Sequence, residues 1–179
     1  EPPVNGRRRR PDDLRDVVDI MLATGCRISE ALALRWQDVD LDSRKVTING
    51  AVIVTGDGVI RQDHPKSMGS VKTYTVDQTT AAMLRGRWER MSALGAMTSV
   101  VFPSATGTLR DPSNYRKQWR TARAAIGFDW VTPHTFRKTV ATRVADEVGL
   151  KAASEYLGHS GEAVTGRHYR AKAPEAADM

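Results

Sequence analysis

Residues 134–170 read HTFRKTVATRVADEVGLKAASEYLGHSGEAVTGRHYR and hold three of the chain's four histidines and two of its four tyrosines. Pro133 stands just ahead, at what reads as the first position of a helix, and Gly149, Gly158, Gly161 and Gly166 then break the segment into short pieces. The pattern is helix, turn, helix. His134 and Arg137 sit at i and i+3, so a helix brings them to one face. In the opening turn of that helix the backbone N–H groups are still free, which suits an anion. Taken alone, HxxR also describes an ordinary polar helix face.

Composition narrows the setting. A chain of 179 residues with 40% apolar residues can bury one sizeable core. Nothing approaches the roughly 20 consecutive apolar residues of a membrane span. The start, EPPVNGRRRRP, has charges with no apolar run behind them, so it is not a signal peptide, and without an initial Met it reads as the start of an excised piece. One cysteine, Cys26, leaves no internal disulfide and fits a reducing, cytoplasmic compartment. The net charge of +6 favours a polyanionic partner, most often nucleic acid.

Residues 1–10, with Pro2, Pro3, Gly6 and the run Arg7–Arg10, read as a basic linker, and residues 171–179 as a loosely held tail. Between them one domain is expected over 11–170. A helix should run from Pro11 and Asp12 to about Thr24, with Leu14, Val17, Val18 and Met21 inward, and a second short one from Ile28. Residues 44–76 change period: Val46 and Ile48, AVIVT, GVIRQ and VKTYTV are β-rich runs separated by Asn-Gly and Gly-Asp-Gly turns, which predicts a three-stranded antiparallel sheet. Asp77 caps a helix to about Leu94, striped by Met83, Leu84, Trp88 and Met91. VVFPS is one strand or a packed loop. Asp111-Pro112 opens another helix, to about Ile126, with Arg116, Lys117, Arg120 and Arg123 on its outside, expected either as a surface that contacts a DNA backbone or as a solvated face. The expected class is therefore α+β, mostly helical, with helices around a small sheet.

Other residues carry the same ambiguity as HxxR. In TGCRISEALALRW, Arg27 follows a helix-ending Gly25, and Glu30 at i+3 can orient its guanidinium toward a bidentate phosphate contact, or simply form a local ion pair. Lys66 lies in a turn between strands, with Lys72 as the rival cation on a strand. His159 falls between glycine breaks, and Tyr169 between His168 and Arg170. A tyrosine of ordinary pKa near 10 is a poor nucleophile unless bases and cations surround it. Asp38, Asp40 and Asp42 alternate like a calcium loop, but Ser43 and Asn49 stand where glycine and glutamate are needed. No zinc spacing and no P-loop are present, so neither a metal nor another cofactor is expected.

In their order along the chain these residues form a specific set. Arg27 in TGCRISEALALRW, the turn lysine, HTFR, LGHS and a tyrosine near the C-terminus resemble the catalytic domain of tyrosine recombinases of the phage integrase type. That resemblance implies the tyrosine recombinase/type IB topoisomerase fold. It implies catalytic roles for Arg27, Lys66, His134, Arg137, His159 and Tyr169, with Glu30 supporting. Tyr169 lies ten residues after His159, one more than in many members. The activity implied is site-specific recombination, in phage integration and excision, through a 3′-phosphotyrosine link. The implied partners are double-stranded attachment sites and sister subunits in a tetramer on DNA, with a directionality factor and a host DNA-bending protein. Two other readings remain at this stage: a helix-turn-helix DNA reader without catalysis, and a type IB topoisomerase.

Overall fold

The computed structural model describes residues 13–63 and 71–158. The chain runs α1 (Leu14–Thr24), α2 (Ile28–Ala31), a 3-10 turn (Trp36–Asp38), β1 (Val39–Asp40), β2 (Lys45–Ile48), β3 (Ala51–Thr55), β4 (Gly58–Gln62), β5 (Lys72–Thr75), α3 (Gln78–Ala93), α4 (Pro112–Ala125), α5 (Pro133–Val148) and α6 (Leu150–Leu157). Among the described residues no helix is long and apolar enough to cross a membrane.

The three-stranded antiparallel sheet is present, with the order β1-β2-β5. Its membership differs from the sequence expectation. β2 pairs with β5, Val46 facing Tyr74, while the outer strand is Val39–Asp40. AVIVT and GVIRQ form a separate two-stranded hairpin, β3–β4, with Ile53 opposite Ile60. The two-residue β1 was invisible because Asp38, Asp40 and Asp42 mask its period; Asp40 Oδ1 instead accepts the N–H groups of Asp42 and Ser43 to close the β1–β2 turn. VVFPS is a packed loop: Val101 and Phe102 are fully buried, and a single bridge joins Val100 to Arg35.

The main core lies between α1, α2, α3 and the sheet. Val17, Ile20 and Met21 of α1 are fully buried, as are Leu32, Val46 and Phe102. Each such side chain contributes about 1.5–3 kcal/mol when withdrawn from water. Of the expected α3 stripe, Leu84 and Met91 are buried, Met83 is partly covered, and Trp88 stands at the rim, its ring edge-on to Trp36 at 5.0 Å. A small second cluster, Val140, Ala141 and Leu157, seals α5 onto α6.

One polar knot inside the core was not legible in the sequence. Asp13 accepts Arg110 Nη1 at 2.6 Å and Arg87 Nη2 at 3.4 Å, and Arg87 also reaches Asp16 and the Val101 carbonyl. Asp13, Arg87 and Arg110 are all buried. Arg110 additionally donates to Gln118 on α4. The knot therefore ties α1, α3 and α4 together and sets where α4 presents its arginines. Breaking one partner of such a buried group leaves an uncompensated charge, at a cost of about 3–5 kcal/mol.

Candidate active site

The site begins at the end of α1. Gly25 closes that helix in the left-handed region, with φ +67°, and its N–H donates to the Met21 carbonyl. A Cβ there would meet Leu157 Cδ2 at 2.5 Å and Val140 Cγ1 at 3.1 Å. Glycine thus satisfies both the turn and the close approach of α5 and α6. The turn leaves Arg27 at the mouth of α2, exposed, with Glu30 beneath it. One Glu30 carboxylate oxygen accepts Arg27 Nη1 at 2.9 Å and the other accepts the Arg27 backbone N–H at 2.7 Å. The acid thereby holds side chain and main chain together and leaves most of the guanidinium donors for a ligand.

Arg137 arrives from α5 and is buried, 5% exposed. Its Nη1 donates to the Gly25 carbonyl at 2.6 Å and its Nη2 to the Leu157 carbonyl at 2.7 Å. These bonds set the guanidinium plane while using two of its five N–H donors. Burial lowers the Arg137 pKa from its ordinary value, and the neighbouring positive charge of Arg27 lowers it further. Two guanidiniums repelling one another at the rim and floor of one cavity are the electrostatic complement of an anion.

That cavity is a cleft of about 510 Å3 between α2, α4 and the start of α5. Arg27, Arg116, Arg120, Arg123, His134 and Arg137 line it, and none of its lining side chains among the described residues is acidic. Arg116, Arg120 and Arg123 recur at helical spacing, so α4 turns one face into the cleft; Lys117 is exposed on α4 but does not line it. The face is held rigidly. Trp119 Nε1 and Arg123 Nη1 both donate to the Val131 carbonyl, at 2.9 and 2.6 Å, and the Trp119 ring meets Phe136 edge-on at 5.3 Å. Pro133 begins α5 and places the exposed His134 in its first turn, facing the cleft.

The structure therefore gathers Arg27, Glu30, His134 and Arg137, with three arginines of α4, around one cleft. Lys66, His159 and Tyr169 lie outside the described residues, as do residues 1–10 and 171–179, read from the sequence as linker and tail. Lys72 is directed elsewhere: its Nζ donates to the Glu155 carbonyl of α6. Cys26, beside Arg27, is buried, and burial pushes its thiol up to about 12, so it is a neutral packing group. Sequence reasoning overlooked Ser29, Ser113 and Thr132, hydroxyl donors on the cleft wall, because isolated hydroxyl residues carry no pattern. Among the described residues no His, Cys, Asp and Glu cluster fit for a metal ion occurs.

Comparison with known proteins decides the family. A sequence profile described as the phage integrase family matches residues 8–176. The chain belongs to the phage integrase family. Among its relatives in that family, the tyrosine recombinase XerC of Xanthomonas campestris is 34% identical over 161 residues, covering 87% of this chain and 44% of XerC. The integrase of Staphylococcus phage L54a is 27% identical, covering 85% of this chain and 46% of the integrase. The chain thus spans about half the length of these curated relatives. The fold is that of solved family members: the Tn1549 transposon integrase in complex with a circular intermediate DNA aligns with a TM-score of 0.75 at 22% identity, covering 86% of this chain and 53% of that one. XerA recombinase aligns with a TM-score of 0.66 at 21% identity, covering 96% and 63%.

Proposed function

We propose that this chain is the DNA-cleaving and rejoining domain of a site-specific tyrosine recombinase. The observation that carries the reading is the convergence of Arg27 and Arg137, from helices far apart in sequence, on one cleft whose described lining holds five arginines and no acidic side chain. In the reaction, Tyr169 Oη attacks the scissile phosphorus and the bond to the 5′-oxygen breaks. Negative charge grows on the nonbridging oxygens of the five-coordinate transition state, where Arg27, Arg137 and His159 neutralise it. His134 takes the tyrosine proton, and Lys66 protonates the departing 5′-oxygen. The 3′-phosphotyrosine ester keeps the energy of the broken bond, so the 5′-hydroxyl of another strand reverses the step and joins a new partner. Arg116, Arg120 and Arg123 hold the flanking backbone, a sequence-independent contribution. The substrates are double-stranded attachment sites brought together by four subunits, with a directionality factor and a host DNA-bending protein, in the cytoplasm of a bacterial host. Solved relatives bound to transposon end DNA and to a difH site support DNA as the ligand.

A helix-turn-helix reader accounts for the basic charge but gives no reason for Arg27, held by Glu30, to meet the buried Arg137 of α5 at one cleft. The test is a suicide duplex nicked near the cleavage point, incubated with the chain. A denaturation-resistant adduct that Tyr169→Phe abolishes is the expected result. An adduct that survives in Tyr169→Phe removes the nucleophile assignment. Strong binding without any adduct removes the enzymatic reading, and relaxation of a supercoiled plasmid lacking attachment sites favours a topoisomerase.

A further inference from the structure

The last turn of α6 has carbonyls with no partner inside the helix, as any helix end does. Here three consecutive carbonyls of that turn accept side chains from outside the helix, the Glu155 carbonyl in addition to the Gly158 N–H at 3.2 Å. Lys72 Nζ donates to the Glu155 carbonyl, Tyr74 Oη to the Tyr156 carbonyl at 2.9 Å, and Arg137 Nη2 to the Leu157 carbonyl at 2.7 Å. Two of the three holders come from β5, the strand that ends the sheet. Tyr74 is 8% exposed, and its ring meets that of Tyr156 edge-on at 5.0 Å. The Tyr156 hydroxyl in turn donates to the Ala23 carbonyl on α1, at 3.2 Å.

The arrangement has a mechanical consequence. Arg137 takes its orientation from two carbonyls, Gly25 and Leu157. Gly25 belongs to a helix end seated in the main core. Leu157 ends a helix of only eight residues, whose buried residues are Ala153, Ser154 and Leu157. The position of that turn, and with it the guanidinium plane, depends on what else grips it. Tyr74 grips the adjacent carbonyl. Its burial raises the phenol well above its ordinary pKa, so the hydroxyl keeps the proton it donates.

We propose that Tyr74 is a positioning residue for Arg137, acting through the last turn of α6, with Lys72 as a second, more exposed grip on the same turn. The inference rests on the recombinase reading. It also gives Lys72 a role distinct from proton donation to the leaving group. Tyr74 and Lys72 touch no substrate; they hold the acceptor that aims the arginine.

Tyr74→Phe keeps the ring and removes only the hydroxyl. In single-turnover cleavage of the suicide duplex, Tyr74→Phe should slow adduct formation about tenfold, with DNA affinity within about twofold of the parent, the signature of a group acting on the transition state. A substrate with a methylphosphonate at the scissile position carries no charge on the nonbridging groups, so it asks less of Arg137. On that substrate the deficit should shrink to about twofold or less. In an Arg137→Ala background, Tyr74→Phe should add nothing, since residues acting as a unit are not additive. Lys72→Met should move the same readouts in the same direction by a smaller factor. A parent-like rate for Tyr74→Phe, an undiminished deficit on methylphosphonate, or multiplicative effects with Arg137→Ala would each overturn the proposal while leaving the recombinase reading intact. If the parent chain forms no adduct with either substrate, the recombinase reading fails and the proposal falls with it. Melting temperature, measured alongside, separates loss of fold from loss of aim: a deficit that tracks unfolding and is equal on both substrates counts against positioning.

Discussion

Replacing Gly25 by alanine tests the joint on which the cleft is built, and its cost divides into two parts. The first is conformational. Gly25 sits at φ +67°, where an L side chain is strained by about 1–2 kcal/mol. The second is steric. The new Cβ would stand 2.5 Å from Leu157 Cδ2 and 3.1 Å from Val140 Cγ1, inside the cluster that seals α5 onto α6. Overpacking of this kind adds about 1–3 kcal/mol. Gly25→Ala should therefore lose about 2–5 kcal/mol in all. An internal control isolates the second part. Gly95 also has a left-handed backbone, φ +59°, but a Cβ there meets nothing within 4 Å. Gly95→Ala should lose only the conformational part, about 1–2 kcal/mol. Urea denaturation of both variants, followed by far-ultraviolet circular dichroism, measures the difference. In thermal melts of a chain this size, each kcal/mol corresponds to about 2–4 °C. Equal losses for the two variants would refute the tight approach of α1, α5 and α6. A second consequence is local to the site: the Gly25 carbonyl that aims Arg137 must shift, so adduct formation should fall further than stability alone explains.

Other expectations concern charge and acidity. Arg116→Gln with Arg120→Gln should flatten the salt dependence of DNA binding by about 0.9 in log–log slope for each phosphate left unneutralised, whereas Lys117→Gln, off the cleft, should leave the slope unchanged; equal changes for all three would move the DNA path off this face. Asp77 caps α3, accepting the Thr80 N–H at 2.8 Å, a bond that lowers its pKa from the ordinary value. A lowered folded pKa means its stabilisation is present above about pH 4 and is lost as the pH falls through the folded value, so Asp77→Ala should cost about 1 kcal/mol at pH 7 and little at pH 2. An equal cost at both pH values would exclude the charged cap. The Cys26 thiol, buried and raised to about 12, should resist a disulfide reagent at pH 8 until the chain is unfolded; labelling of the folded protein within minutes would contradict its burial.

Legibility differed from residue to residue for physical reasons. The helix-period stripe of α1, the Asp77 cap and Asp111-Pro112 at the start of α4 were readable because they are local: each depends on residues within a turn or two. The sheet was read only in part. Pairing of β2 with β5 joins residues 24 to 30 positions apart, such as Thr47 with Thr73, and nothing in the runs AVIVT and GVIRQ says that they leave the main sheet to form their own hairpin. Nothing local marks Arg87 and Arg110 as interior residues; they are buried because Asp13 accepts from both. In the cleft, the i, i+3 relation of Arg27 to Glu30 was legible, since a single turn of helix enforces it.

By itself the sequence determined the family: Arg27, Lys66, His134, Arg137, His159 and Tyr169, in that order, carry the resemblance, since side-chain type and spacing are one-dimensional facts. Only the tertiary structure decided how Arg137 is aimed. The bonds from Arg137 to the carbonyls of Gly25 and Leu157 span 112 and 20 positions, and the bond from Tyr74 to the same turn of α6 spans 82. Backbone carbonyls have no letter in a sequence, so an acceptor of that kind becomes visible only when the fold brings it to its donor.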